Sequence, residues 1–223
     1  MHLDLVDHLR CPNPHPDVTG GVALVCVPLR VEGRVLHEAM LGCAVCHARF
    51  SVHQGSGWFG AGDAPSAMPA PTPSDDEAEL LRLAAMLNLD SPGGFVLLDA
   101  SWATLAEPLA ARFAVSVVVA SDGPRTFDHP AVSVLAGLAA SLPLAPLTLR
   151  GAAWGPGVTS APLVATTRAL NANGRLVAPV EVDPPPALSV LARDDRHWVA
   201  EPRAEPVSLR RAPAPTPPRT PGQ

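Results

Sequence analysis

The sequence predicts an α/β chain in two parts: a small β-rich module over residues 1–60, and a parallel sheet with helices on both faces over 75–201. Two observations carry this. Strand-like and helix-like segments alternate after residue 74, the pattern of a parallel sheet with crossover helices. All four cysteines (Cys11, Cys26, Cys43 and Cys46) lie before residue 60, among short strand-like runs. Between the parts, 61–74 (AGDAPSAMPAPTPS) reads as a semi-extended Pro/Ala linker. Residues 202–223 read as a Pro-rich, disordered tail carrying Arg203, Arg210, Arg211 and Arg219.

In chain order, Val22–Val31 and Arg34–Leu41 flank Glu32-Gly33, a hairpin turn. Ser74-Asp75-Asp76-Glu77 is a capping-box pattern leading into Leu80, Leu81, Ala84, Ala85 and Leu87 at helical spacing. Phe95–Leu98 then reads as a strand, Ala103–Phe113 as a helix and Val115–Val119 as a second strand. Val132–Leu135 and Leu147–Leu149 follow as strands, Pro162–Leu170 as a helix and Arg175–Val182 as a further strand. Ala187–Leu191 and His197–Ala200 are candidates for an antiparallel edge.

Composition narrows the chemistry. The chain of 223 residues has a net charge of −5 and no Lys, Ile or Tyr, so its 16 basic residues are all Arg. GC-rich coding explains those absences, and it removes any Schiff-base lysine or phenolic acid. The acid excess disfavours a nucleic-acid partner held by overall charge. The N-terminus lacks the basic and apolar regions of a signal peptide, and no apolar run is long enough to span a bilayer. A soluble, cytoplasmic protein without a membrane partner is the expectation, with cysteines serving as metal ligands or free thiols rather than disulfides.

Cys43-Ala44-Val45-Cys46 has the C-x-x-C spacing that lets two thiolates in one knuckle reach one zinc ion. Cys11 and His15 are the candidates for the other two ligands, although Pro14 stands where a second C-x-x-C would place its cysteine. Cys26, His47 and Asp17 remain in reserve, and a metal-free pair of thiols at Cys43 and Cys46 remains open. Cys43–His47 also spells the c-type haem pattern C-x-x-C-H, which the lack of an export signal disfavours.

Leu9-Arg10-Cys11-Pro12, followed by Leu41-Gly42-Cys43 and Cys46, Phe50, Val52 and Gly55, resembles the zinc-ribbon proteins that activate tRNA and release-factor methyltransferases. Pro14 and His47 depart from that pattern, which has Cys and Gly there. The second part resembles class I S-adenosylmethionine (SAM)-dependent methyltransferases. Leu97-Leu98-Asp99-Ala100-Ser101-Trp102-Ala103-Thr104-Leu105 stands in the place of the family's V-L-D-L-G-C-G-T-G. Ala136 to Leu144 resembles the family's x-G-D-A-x-x-L-P-F, and Arg168 to Val177 its R-x-L-K-P-G-G-x-L-V.

The resemblance implies a Rossmann-like methyltransferase sheet in which Asp99, Ser101 and Asp122 would hold SAM. Ser101, Ala103 and Leu105 replace the three glycines of the cofactor loop, and Leu138 replaces the acid that approaches adenine. Trp102 and Leu105 are expected to crowd the cofactor's methionine part. At the turn into the fifth strand, Gly174 is expected to supply a positive φ and Asn173 a left-handed residue. The expectation is a non-catalytic, methyltransferase-like scaffold with a zinc module and a protein partner, one candidate being a catalytic methyltransferase. The alternative is an active SAM-dependent enzyme acting on RNA or a translation factor.

Overall fold

The first ten residues thread beneath the sheet before any strand forms. The computed structural model describes residues 1–138 and 141–203; Ala139, Ala140 and the expected tail from residue 204 onward lie outside the described residues. A single helical turn, α1 (Leu3–Val6), opens the chain. Four antiparallel strands follow: β1 (Leu24–Glu32), β2 (Val35–Cys43), β3 (Arg49–His53) and β4 (Ser56–Trp58). The β1–β2 turn holds Gly33 at φ 58°, a left-handed position that suits glycine.

The expected linker contributes β5 (Met68–Pro69), which pairs in parallel with β8 (Arg125–Thr126). Then come α2 (Glu77–Met86), β6 (Phe95–Asp99), a 3-10 helix over Ala100–Leu105, α3 (Ala106–Phe113) and β7 (Ser116–Ser121). After β8 follow β9 (Val132–Ala136), β10 (Leu149–Ala153), α4 (Ser160–Ala169), β11 (Leu170–Pro179), β12 (Leu188–Arg193) and β13 (His197–Pro202).

Eleven of the described strands form one sheet in the order β1-β2-β3-β4-β9-β7-β6-β10-β11-β13-β12. From β4 to β11 the neighbours are parallel. The order reverses between β6 and β10, which makes that crevice the topological switch point of a doubly wound sheet. β12 and β13 close the far edge as an antiparallel pair, at the two segments read as edge strands. The expected boundary between modules falls between β4 and α2, yet β4 pairs with β9, Ser56 opposite Val134. The β-rich module and the parallel strands are one continuous sheet.

Alternate residues of the central strands face opposite sides. On one side Val96, Leu98, Val117 and Val119 pack under α2, the 3-10 helix and α3. On the other, Leu97, Val118, Leu135 and Ala152 meet Leu163 of α4 together with Met1, Leu5 and Leu9. Among the described residues no helix joins β7 to β9 or β9 to β10, so the expected helices on both faces are only partly present. The 1–10 segment covers the vacated area. His2 N donates to Ser133 Oγ (2.9 Å) at β9, and His8 lies edge-on to Phe95, 5.2 Å between ring centres, at the start of β6. Leu5 and Leu9 are fully buried there, each contributing about 1.5–3 kcal/mol of apolar burial.

Several boundaries differ from expectation for local reasons. The strand expected over 147–149 begins at Leu149 instead. Leu147 is left-handed (φ 61°), exposed, and held in a turn where Thr148 Oγ1 donates to Ala145 O (2.8 Å). The N-cap of α2 is Asp76, whose carboxylate accepts from Glu79 N (3.0 Å), while Ser74 Oγ accepts from Asp76 N one step earlier. Neither Gly174 nor Asn173 adopts a positive φ. Glycine at 174 answers crowding instead: a Cβ there would stand 3.0 Å from Leu149 O and 3.0 Å from Leu170 Cδ2, where β11 bulges against β10.

Candidate functional site

Two sites are built around residues singled out in the sequence. The first is the cysteine knuckle. The β2–β3 turn brings Cys43 and Cys46 together, with Cys43 N donating to Ala48 O (2.9 Å) and His47 N to Cys43 O (3.0 Å). His47 takes a left-handed φ of 59°, a conformation that glycine favours and in which His is among the commoner other residues. Opposite it, Cys11 N donates to Val22 O (2.8 Å) and pins the 11–15 loop.

The ligand atoms of Cys11, His15, Cys43 and Cys46 all lie within 4.8 Å of one another. Cys11 Sγ and Cys46 Sγ are 3.6 Å apart, and Cys43 Sγ and His15 Nε2 are 3.5 Å apart. A tetrahedral ion with zinc-like bond lengths requires S···S edges of about 3.8 Å and S···N edges of about 3.6 Å. The Cys3His donor set could therefore hold such an ion. Asn13, which the sequence reading overlooked, donates its amide to Cys46 Sγ (3.4 Å). The Ala48 backbone N–H, and after it that amide, draw the Cys46 thiol down to about 6, whereas burial pushes Cys11 up to about 12. Cys26, His47 and Asp17, the reserve ligands, stand outside the cluster.

The second site is a cavity of about 350 Å³ at the carboxyl ends of β6, β7 and β9, the position where open α/β sheets bind ligands. Asp99 and Asp122 line it, as do Leu138, Leu142, Trp154 and Val158. Asp122 is exposed at its mouth. Ser101, although exposed, is turned onto Asp99.

The Asp99 carboxylate is engaged on both oxygens. Oδ1 accepts from Ser101 N (3.0 Å) and from the Ser101 hydroxyl, and Oδ2 accepts from Gly155 N (2.8 Å). Gly155 presses so closely on this turn that a Cβ there would fall 1.8 Å from Ser101 Oγ. The loop after β10 is thus clamped onto the start of the 3-10 helix across the switch-point crevice. Sequence reasoning missed the bond between Asp99 and Gly155 because its partners lie 56 positions apart. The one visible signal was the glycine of Trp154-Gly155-Pro156-Gly157.

Trp102 and Leu105 do not crowd the cavity as expected. Both are buried on the α2/α3 side, because the 3-10 geometry after Asp99 turns them inward. Trp102 rests 5.5 Å from the His197 ring, and its Nε1 and His197 Nδ1 are buried without a partner among the described residues. Trp154 anchors its loop, Nε1 donating to Thr166 Oγ1 (3.0 Å). His129 is a turn residue: Glu107 Oε1 accepts from its backbone N–H (2.9 Å), and its Nδ1 accepts from Ala131 N (3.2 Å).

Among the described residues no helix is long and apolar enough to cross a membrane. No protein-family model matches the chain, and no curated protein matches it. Two methyltransferases are among the solved structures that resemble the chain. The antibiotic-resistance methyltransferase Kmr aligns with TM-score 0.40 and 10% identity over 56% of this chain and 93% of its own. A proposed methyltransferase from an antibiotic biosynthesis pathway of Anabaena variabilis ATCC 29413 aligns with TM-score 0.38 and 18% identity, over 46% of this chain and 44% of its own.

Proposed function

We propose that this chain is a class I methyltransferase-like scaffold that does not use SAM, with zinc held by Cys11, His15, Cys43 and Cys46. The observation that carries the first part is the closure of Asp99, Ser101 and Gly155 across the switch point. A SAM-binding loop must let its backbone pass close to the cofactor's methionine part, and here the carboxylate and the turn are spent on each other. Leu138, an apolar side chain where the resembled family has an acid, removes a second polar contact. The residues present do not fit the whole cofactor. A protein partner is the expected ligand of such a scaffold, with an intact methyltransferase the first candidate; the net charge of −5 disfavours RNA. Isothermal calorimetry with SAM tests the reading: no detectable heat is expected, and low-micromolar affinity would overturn it.

Zinc rests on the donor set and its spacing. Metal analysis of the purified chain is expected to give one zinc equivalent, lost in Cys43→Ala; a zinc-free parent protein would reject it.

One observation favours a second reading. The cavity persists beside Asp122, at the end of the strand where the resembled family keeps a ribose-binding acid. In that reading the chain is an active methyltransferase for RNA or a translation factor. Its signature would be SAM binding that weakens in Asp122→Ala.

A further inference from the structure

The metal knuckle and the switch-point cavity share a structural element. The short stretch His8–Pro12, which delivers Cys11 to the cluster, lies against residues 141–145 along its whole length. Arg10 N donates to Pro143 O (3.0 Å), Ala145 N donates to His8 O (2.7 Å), and the Ser141 hydroxyl donates to Pro12 O (3.2 Å). Leu9 and Leu144 form an isolated antiparallel bridge between the same stretches. Ser141 and Leu142 form one wall of the cavity that Asp99 and Asp122 line from the other side. The opposite face of these two residues walls a groove of about 840 Å³ that runs past Cys11, Asn13 and His15. Among the described residues no helix lies between β9 and β10, where this wall falls in the chain. Its described backbone hydrogen bonds to other parts of the chain run to the stretch that ends at a metal ligand.

We infer that the metal cluster governs the cavity: an ion bound by Cys11, His15, Cys43 and Cys46 fixes the 8–12 stretch, and that stretch fixes the 141–145 wall. Without the ion, the four ligands lose their common anchor and the 11–15 loop keeps its Cys11 N–Val22 O bond but not its ties to Cys43 and Cys46. The wall then loses the partner that supplies its backbone hydrogen bonds. Metal occupancy and ligand binding in the cavity are thermodynamically linked in this arrangement, and each favours the other. The inference rests on the zinc reading and is independent of whether the cavity takes SAM. Ser141 is a positioning residue in this scheme, tying the knuckle to the wall without touching the metal.

Hydrogen exchange on the full chain, with zinc and after chelation, reads these bonds directly, because two of them use the amides of Arg10 and Ala145. Chelation is expected to speed exchange at both amides by roughly tenfold or more, while Val118 and Val134 in the central strands stay protected. Unchanged exchange at Arg10 and Ala145, with zinc loss verified by metal analysis, would overturn the inference. Loss of protection at Val118 and Val134 as well would also overturn it, since the ion would then hold the entire fold rather than one wall. If metal analysis finds no zinc at the outset, the zinc reading fails first and the coupling fails with it, which separates the two. Ser141→Ala, which leaves all four ligands in place, is expected to retain zinc and speed exchange at Ala145 by a smaller factor. No change in that variant would show that Ser141 does not tie the knuckle to the wall.

Discussion

Asp99 and Gly155 show how the same residue reads differently before and after its partners are known. In the sequence Asp99 stands where the resembled family has the acid of its cofactor motif; in the fold its two oxygens accept from Ser101 and Gly155 at one wall of the cavity. This makes Gly155 a sharp probe. A methyl group at 155 would overlap Ser101, so Gly155→Ala is expected to cost about 1–3 kcal/mol of unfolding free energy in urea titration. Removing the obstacle with Ser101→Gly in the same chain should recover a large part of that, giving a coupling energy of about 1 kcal/mol or more. If Gly155→Ala proves neutral, the crevice is open at that point and no longer stands against SAM. That Cys11, His15, Cys43 and Cys46 come together was legible because the spacing within each pair is local and chemically narrow. Asn13 was not, since an asparagine in a Pro-rich turn has many uses and only the folded position of Cys46 selects one.

Elements were legible where a periodic apolar pattern met a capping or turn signal. α2, α3, β6 and β9 stand within a few residues of their expected places, and the edge pair β12–β13 forms at the two short strand-like runs near the end of the sheet. The misplacements have physical causes. β10 starts late because Leu147, an apolar residue that extends the pattern, is spent on a left-handed turn. The β12–β13 turn owes its shape to Asp194, whose carboxylate accepts from Arg196 N (2.8 Å) and His197 N (2.7 Å) and pairs with Arg82 of α2. Those bonds hold its carboxyl below the usual range, the backbone donors more than Arg82. A depressed folded-state pKa means that this stabilisation is present in full above the unfolded carboxyl pKa of about 3.9 and is lost as pH falls below it. Asp194→Asn should therefore lower stability at pH 7 and flatten its decline between pH 5 and 2, followed by thermal unfolding across that range. Because the pair with Arg82 is partly exposed, 1 M salt should remove only the Arg82 share of the difference. An unchanged pH profile in the variant would show that the turn is held by something else.

At the scale of the molecule, the sequence suggests two modules because its composition changes at a Pro/Ala stretch, and composition carries no information about which strands will pair across it. The fold joins them twice: through β4 on β9, and through the 1–10 segment lying on the far face of the parallel strands. That segment occupies ground which crossover helices cover in a doubly wound sheet, so the N-terminal part supplies core to the C-terminal part. A fragment of residues 75–203 would expose Leu97, Val118 and Leu135, fully buried in the intact chain, along one open face. It is expected to lack a cooperative thermal transition and to bind an apolar dye, and a fragment of residues 1–74 added in trans should restore the transition. Leu5→Ala in the intact chain probes the same contact more gently. Leu5 is fully buried and is not one of the four ligands, so its truncation should cost about 2–5 kcal/mol without loss of zinc. A 75–203 fragment that unfolds cooperatively with the parent's midpoint, together with a neutral Leu5→Ala, would show that the parallel sheet is independent of the segment beneath it. The opposite result would make the N-terminal part a structural half of the fold, and removing it to test activity would then test an unfolded chain.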